Sequence, residues 1–316
     1  RRAPARTMTR YLLGRAAQSV LAVFGVMAIV FVVMRLSGDP TLLLVPEGAT
    51  REQVDALRAQ LGFDRPIHVQ FADYLWTLCR LDLGESVVQR LPVWRIVAER
   101  IPYTGWLAST ALAISVGIGI PVGVATAVWR GTAVERALMP LVLVGQSMPT
   151  FWSGILLIML FGVGLGWLPT SGADEWRSVV MPAIALGGLS MATFARITRT
   201  SVMEELGKDY VRAIRAKGIA RPVVVLRHVL RNGAIPIVTI AALEIANLLA
   251  GAVIVETVFA WPGMGQLAVQ SIQSRDFMVV QAIVLLVSIA YVLLNFLADI
   301  LYGAIDPRIR LRGGAR

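Results

Sequence analysis

Six long stretches of the chain carry almost no charge. Each stretch is flanked by charged residues. The stretches are Ala16–Met34, Ile101–Trp129, Ala137–Ala173, Ser178–Ala195, Asn232–Val255 and Phe277–Ala298, and Glu244 in the fifth is their only charged side chain. A helix of about 20 apolar residues crosses a bilayer, and only helices or closed barrels are stable in hydrocarbon. Barrel strands would alternate over roughly 10 residues, which these stretches do not. The pattern therefore predicts an all-α integral membrane protein with six transmembrane helices.

The polar segments between these stretches divide the chain into five parts. They are a tail at 1–10, the first span at 11–35, a large extramembrane segment at 36–100, spans two to six at 101–303, and a tail at 304–316. In the third stretch, the glycines and proline after Val163 predict the end of the helix, and Pro149 predicts a kink within it. In the second, Gly117, Gly119 and Gly123 predict close packing against another helix.

Two short helices are predicted within the segment 36–100. Thr50, followed closely by Glu52 and Gln53, is typical of a capped helix start, and Gly62 is typical of a helix end. The stretch 71–81 is amphipathic and rich in aromatic residues, which suits a helix at a membrane interface.

The composition and the distribution of charge support a membrane protein. Hydrophobic residues make up 56% of the chain and charged residues 16%, whereas soluble domains average about 25% charged. The net charge is +10, and two thirds of the 30 basic residues lie in residues 1–15, the loop 130–136, the segment 196–231 and the tail 304–316. If both termini are cytoplasmic, all of these segments lie on the cytoplasmic side of the membrane. Such an excess of basic residues on the cytoplasmic side is what the positive-inside rule describes. The positive charge therefore predicts topology and argues against a nucleic-acid partner.

The segment between the fourth and fifth stretches holds the strongest basic cluster, and we call residues 207–231 the basic hairpin. Lys208, Arg212 and Arg215 recur at helical spacing, Gly218 is typical of a helix stop, and Pro222 suits the first turn of a second helix. Connections in helical bundles usually take roughly 2–8 residues. So long a hairpin predicts either a docking element for a cytoplasmic partner or a surface resting on anionic headgroups, and the pattern alone favours neither.

The hairpin residues carry a family resemblance. The run Tyr210-Val211-Arg212-Ala213-Ile214-Arg215-Ala216-Lys217-Gly218, followed by His228, Leu230-Arg231-Asn232 and Ile235-Pro236, resembles the ATPase-coupling loop of binding-protein-dependent ABC importer permeases, closest to the dipeptide/oligopeptide/nickel class. The general motif of that family is Glu-Ala-Ala, three residues and then Gly. Here Gly218 and Ala213 match, while Arg212 and Ile214 replace the Glu and the second Ala.

Further matches extend the resemblance over most of the chain. They are Leu36-Ser37-Gly38-Asp39-Pro40, Leu61-Gly62-Phe63-Asp64-Arg65-Pro66, Gln70, Leu81-Asp82-Leu83-Gly84-Glu85-Ser86, Glu256-Thr257-Val258-Phe259-Ala260-Trp261-Pro262-Gly263-Met264-Gly265, Arg275-Asp276-Phe277, Asp299, Tyr302 and Asp306-Pro307-Arg308-Ile309-Arg310. The order and spacing of these motifs make the resemblance specific, although each motif alone is weak.

The resemblance implies the type I ABC importer permease fold in a bacterial cytoplasmic membrane, with both termini cytoplasmic. It also implies a second homologous permease subunit, two ATP-binding subunits that hold ATP and Mg, and an extracytoplasmic solute-binding protein. The implied cargo is a short peptide or a related small solute; glutathione-like, nickel-chelate and sugar-derived cargoes stay open. The implied coupling loop is 201–233, with the coupling residues Tyr210, Arg212, Ala213, Arg215, Gly218, His228 and Arg231. The implied outer-loop candidates for the binding-protein contact are Glu256, Trp261, Pro262, Gly263, Arg275 and Asp276.

Two chemical features bear on whether the chain acts alone. A phosphate-binding loop needs Gly-x-x-x-x-Gly-Lys-Ser/Thr, and the one Gly-Lys pair, Gly207-Lys208, has Val202 in place of the first Gly and Asp209 after it. The single Cys79 forms no intrachain disulfide and offers no second thiol to a metal. We therefore expect no catalytic residue, no metal and no cofactor bound by this chain, with energy from partner ATPases or from an ion gradient.

Polar groups within the spans are the candidates for the translocation path. Glu244 and Asn247 lie near the middle of the fifth span, where ionisable residues are costly and usually functional, and Pro149 interrupts the third. Glu244 could equally be a hydrogen-bonded residue that holds the two permease halves together. It could also relay protons in a secondary transporter, although such carriers usually show internal repeats. An intramembrane serine protease built on Ser153 lacks a base within reach.

Overall fold

The computed structural model describes residues 5–36, 41, 45, 50–60 and 62–305. The Gly38-Asp39-Pro40 and Asp306-Pro307-Arg308 motifs, most of the predicted C-terminal tail and the side chains of Asp299 and Tyr302 lie outside what is described. The described residues are almost entirely helical. The helices are α1 Ala5–Leu36, α2 Arg51–Gln60, α3 Ile67–Cys79, α4 Val93–Ala98, α5 Ile101–Val128, α6 Ala133–Ser147, α7 Thr150–Leu157, α8 Val180–Leu206, α9 Asp209–Ala216, α10 Ala234–Val258, α11 Met264–Gln273 and α12 Phe277–Ile305.

Four helical segments are long and apolar enough to cross a membrane. They are Val93–Val128, Trp176–Leu206, Ala234–Val258 and Phe277–Ala298. A fifth span results if the bent pair Ala133–Ser147 and Thr150–Gly164 counts as one. The first predicted span corresponds to α1, in which the apolar helical stretch is the shorter Ala17–Val33. The described residues therefore hold four candidate spans, or five with the bent pair, which agrees with the predicted helical membrane protein, while the count of six stays a prediction.

The predicted kink at Pro149 is a complete break in the helix. α6 and α7 meet at an angle of 112°, with Met148 and Pro149 between them. Pro149 has no N–H to continue the helix, and a proline disfavours helical backbone at the residue before it. Met148 is accordingly extended, with φ −82° and ψ 129°. α7 then continues as a π-helical stretch, Ile158–Gly164.

α8 lies at the centre of the fold. In the apolar 18-residue stretch that qualifies Trp176–Leu206 as a span, 67% of the residues are buried. The corresponding share in the other three full spans is 28–33%. α8 contacts α5, α6, α7 and α10, and a short 3-10 turn, Trp176–Val179, precedes it. The hydroxyl of Ser115 on α5 donates to the carbonyl of Gly187 on α8 at 2.9 Å.

Two of the three predicted packing glycines bring α5 against α8. A Cβ at Gly119 would lie 2.6 Å from the carbonyl oxygen of Met191, and a Cβ at Gly123 would lie 2.5 Å from that of Ala195. The prediction is wrong for Gly117, because its missing Cβ would face open space. The two contact glycines are four residues apart, so they occupy one face of the helix.

Gly123→Val is expected to destabilise the protein through this contact. The new side chain would overlap the backbone of α8, and overpacking of this kind costs about 1–3 kcal/mol. Gly117→Val is the matched control, because it introduces the same residue into the same helix where there is room. Thermal unfolding of the two variants in detergent should show a lower midpoint for Gly123→Val. Equal midpoints would contradict the proposed close approach.

The segment between α1 and α5 contains both predicted short helices. α2 begins with reciprocal hydrogen bonds between Thr50 and Gln53, at 3.0 and 3.4 Å, which form a capping box. Gly62 follows α2 with a φ of +70°. α3 packs on α1 through aromatic contacts, with the Phe31 ring 5.1 Å from Phe71 and 5.7 Å from Tyr74.

Candidate functional site: the basic hairpin and the buried carboxylates

The basic hairpin has the predicted helix–glycine–helix form. α9 is its first arm and ends at Ala216, and the amide of Gly218 donates to the carbonyl of Arg215 at 3.0 Å. Gly218 has a φ of +76°, a backbone conformation that glycine adopts without a steric penalty. The second arm runs through Arg221–Val223, the π-helical turn Val224–Val229 and Leu230–Asn232.

The apolar side of the hairpin is buried against two transmembrane helices. Val211, Val224 and Val229 form one cluster with Val202 of α8 and Ala127 of α5. The guanidinium of Arg221 also donates to the carbonyl of Val128, at the end of α5, at 2.6 Å. The hairpin is therefore packed on both helices.

The opposite side of the hairpin is basic and open. Arg212, Ala213, Arg215 and Gly218 are exposed. Arg212 forms an ion pair with Asp209 at 3.4 Å, and the two side chains are 78% and 96% exposed. Because water screens so exposed a pair, it restrains neither side chain strongly. Two other predicted coupling residues, Tyr210 and His228, are half-buried, and Arg231 is exposed.

Glu205, in the last turn of α8, is the residue of this region that the sequence pattern did not reveal. It is 7% exposed. Its Oε1 pairs with the ammonium of Lys208, and its Oε2 accepts a hydrogen bond from the Tyr210 hydroxyl at 2.7 Å. The hydrogen bond with Glu205 raises the pKa of Lys208. Burial, followed by the hydrogen bond with Glu205, raises the pKa of Tyr210. The available signal in the sequence was the spacing of three residues between Glu205 and Lys208, which suits an ion pair.

Glu256 is a fully buried carboxylate at the opposite end of α10 from the hairpin. Its Oε2 accepts from the amides of Gly265 and Gln266 at 2.6 and 3.1 Å, and its Oε1 accepts from the hydroxyl of Thr104 at 2.7 Å. Thr104 in turn accepts from the amide of Met264 at 2.9 Å. Glu256 and Thr104 thus satisfy the first three amides of α11, which have no partner within the helix.

The other outer-loop candidates are arranged around this carboxylate. A Cβ at Gly263 would overlap the Glu256 carboxylate, so the loop closes on it. Trp261 is 2% exposed and its Nε1 donates to the carbonyl of Tyr103 at 3.0 Å. Pro262 is half-buried, and its carbonyl accepts from Arg100 at 3.5 Å. The buried side chains of Glu256 and Trp261 therefore shape the loop and are not presented at its surface.

Asp276 and Arg275 lie at the start of α12 with opposite exposure. Asp276 is 2% exposed and accepts a hydrogen bond from the hydroxyl of Ser86, which joins the segment before α4 to α12. Arg275 is exposed and has a φ of +54°. Of the six outer-loop candidates, Arg275 is the charged side chain that is available to a partner protein.

The candidates for the translocation path lie on different helices. Glu244 on α10 is half-buried and accepts a hydrogen bond from the hydroxyl of Ser190 on α8. Asn247 is exposed one turn further along α10, and Pro149 is exposed at the break between α6 and α7. Within the described part of the chain, no group of three His, Cys, Asp or Glu residues could hold a metal ion.

The fold and the hairpin define a helical membrane subunit with a packed basic hairpin between two of its spans. The family profile described as "Binding-protein-dependent transport system inner membrane component" matches residues 119–311, and that of its N-terminal region matches residues 8–108. The chain belongs to this family.

The comparisons with individual proteins agree. The glutathione transport system permease protein GsiC of Salmonella choleraesuis (strain SC-B67) is 42% identical over 306 residues, which are 96% of this chain and 100% of the relative. GsiC of Escherichia coli (strain K12) is 41% identical over the same shares. An inward-facing structure of the MetNI methionine ABC transporter is similar in fold, with a TM-score of 0.57 and 20% identity over 67% of this chain and 96% of that chain.

The chain is therefore the multi-pass inner-membrane permease subunit of an ABC importer. Membrane components of this family have no ATPase site of their own and act with ATPase and binding-protein partners. Nothing in these findings supports the secondary transporter that Glu244 suggested.

Proposed function

We propose that this permease passes glutathione or another short peptide into the cytoplasm. The support is the 42% identity with glutathione permeases across their whole length. Glutathione is itself a short peptide, which agrees with the dipeptide/oligopeptide resemblance of the hairpin and loop motifs. The absence of a metal-binding group among the described residues gives no support to a chelated metal as cargo.

The coupling residues are proposed to dock on an ATPase subunit. The observation that carries this proposal is the two-sided hairpin, whose valines are buried on α5 and α8 while Arg212, Ala213, Arg215 and Gly218 stay exposed. The hairpin lies in the cytoplasm in this arrangement, as do both termini. A second homologous permease completes the pathway, and two ATP-binding subunits hold ATP and Mg. Glu244, Asn247 and Pro149 then line the translocation path, and Arg275 faces the solute-binding protein.

Cross-linking and uptake measurements test the docking and the cargo separately. A cysteine introduced by Lys217→Cys, in a background with Cys79→Ser, is expected to cross-link to an ATPase subunit of the purified complex. Proteoliposomes that contain the complex and its binding protein are expected to accumulate labelled glutathione or a labelled dipeptide only with ATP. Labelling of Lys217→Cys from the outside of intact cells would contradict the docking. Uptake driven by a proton gradient without ATP would contradict the function.

A further inference from the structure

Glu205 differs from the other charged residues around the hairpin by its burial. The residue is 7% exposed, whereas the side chains of Asp209 and Arg212 are 96% and 78% exposed. A carboxylate that is removed from water is stable only where hydrogen bonds and opposite charge compensate it. Loss of the contacts of Glu205 would therefore cost free energy as long as its carboxylate stays buried. Loss of the exposed ion pair between Asp209 and Arg212 would cost little.

Both polar partners of Glu205 belong to the start of the hairpin. α8 ends at Leu206, the ammonium of Lys208 pairs with Oε1, and the hydroxyl of Tyr210 donates to Oε2 at 2.7 Å. These two contacts cross the joint between α8 and α9. The joint itself includes Gly207, which imposes little restraint of its own. The contacts of Glu205 therefore fix the angle between the two helices together with the cluster of Val202, Val211, Val224 and Val229.

The second arm of the hairpin returns to the same side chain. At Gly233, which follows this arm, a Cβ would lie 3.4 Å from Cγ of Glu205 and 3.4 Å from Cβ of Ser201. The backbone at Gly233 is therefore packed on the aliphatic part of the Glu205 side chain. One side chain thus contacts the base of the hairpin at both its entry and its exit.

We propose that Glu205 is a positioning residue that fixes the orientation of the basic hairpin on α8, so that movement of the hairpin is passed to the transmembrane core. This role rests on the proposed docking of the hairpin on the ATPase. α8 is the most buried of the four full spans and is packed on α5 through Gly119 and Gly123. A hairpin that is held rigidly at Glu205 therefore moves α8 and α5 together, and a hairpin held by its apolar cluster alone passes on less of its movement.

The test is the ratio of ATP hydrolysed to solute transported by the whole complex in proteoliposomes. Glu205→Leu removes both polar contacts and is expected to raise this ratio by about tenfold, within the 5–150-fold range of typical coupling effects. Glu205→Gln keeps an acceptor for Tyr210 and should give a smaller rise. Glu175→Leu, which replaces an exposed acid before the other end of the same span, is the matched control and should leave the ratio unchanged.

The outcomes separate a positioning role from a purely structural one. Complexes of Glu205→Leu that assemble and hydrolyse ATP, but transport little glutathione, support the proposal. An unchanged ratio in assembled complexes overturns it, even if their thermal stability is lower. If Glu205→Leu does not assemble, the ratio of ATP hydrolysed to solute transported is measured for Glu205→Gln instead. An unchanged ratio in Glu205→Gln overturns the proposal. If Lys217→Cys does not cross-link to the ATPase in a complex that keeps Glu205, the docking itself has failed, independently of Glu205.

Discussion

Gly218→Val is expected to lower solute uptake at least about fivefold while the protein still inserts into the membrane. Gly218 has a φ of +76°, and left-handed backbone costs a residue with a Cβ roughly 1–2 kcal/mol, more when the side chain is β-branched. A penalty of that size depletes the native turn by a factor of roughly 5–30. The turn joins the two arms of the hairpin, so the exposed face loses the shape that docks on the ATPase. Uptake by proteoliposomes and ATP hydrolysis, measured together, should show hydrolysis that is no longer coupled to transport.

Gly166→Val separates a local effect at the hairpin from backbone strain in general. Gly166 has a φ of +64°, and a Cβ added there, like one added at Gly218, would have no neighbouring atom within 4 Å. It lies in the loop between α7 and α8, away from the hairpin. The two variants therefore introduce the same residue under similar strain. Normal uptake by Gly218→Val, or an equal loss in both variants, would count against a docking role for the hairpin.

The elements that depend on local sequence could be predicted well. The capping box of Thr50, the turn at Gly218 and the break at Pro149 each follow from the backbone preferences of one or two residues. The burial of Val211 could be predicted too, because it lies on a different face of α9 from the arginines. These features need no knowledge of distant parts of the chain.

The features that depend on contacts between distant residues could not be predicted. Gly117, Gly119 and Gly123 are equivalent as a sequence pattern, and only the position of α8 distinguishes the two that approach it. Thr104 is far from Glu256 along the chain, so nothing local marks it as the partner of that carboxylate. Ser190 and Glu244 are a similar case, because their hydrogen bond joins two helices whose relative rotation the sequence pattern leaves open.

Glu256→Leu is expected to destabilise the fold more than either Gly123→Val or Gly218→Val. It would leave the amides of Gly265 and Gln266 and the hydroxyl of Thr104 without their acceptor in a buried region. Each buried donor left unsatisfied costs about 1–3 kcal/mol, so the loss is at least about 3 kcal/mol. The start of α11 should open, and the loop that contains Trp261 should lose its support. Thermal unfolding and gel filtration in detergent should show a lower midpoint and a smaller folded fraction.

Glu256→Gln tests whether the hydrogen bonds or the charge of Glu256 hold the loop. The side-chain oxygen of glutamine can occupy the position of Oε2 and accept from both amides, while its NH2 group can donate to the free lone pair of Thr104. Only the Thr104 hydroxyl then loses its acceptor, which costs about 1–3 kcal/mol. This variant should therefore unfold between the wild-type midpoint and that of Glu256→Leu. If Glu256→Gln is as unstable as Glu256→Leu, the negative charge is what α11 requires, as its N-terminal dipole would favour. If both variants are stable, the amides of Gly265 and Gln266 have other acceptors, and the carboxylate does not hold α11 in place.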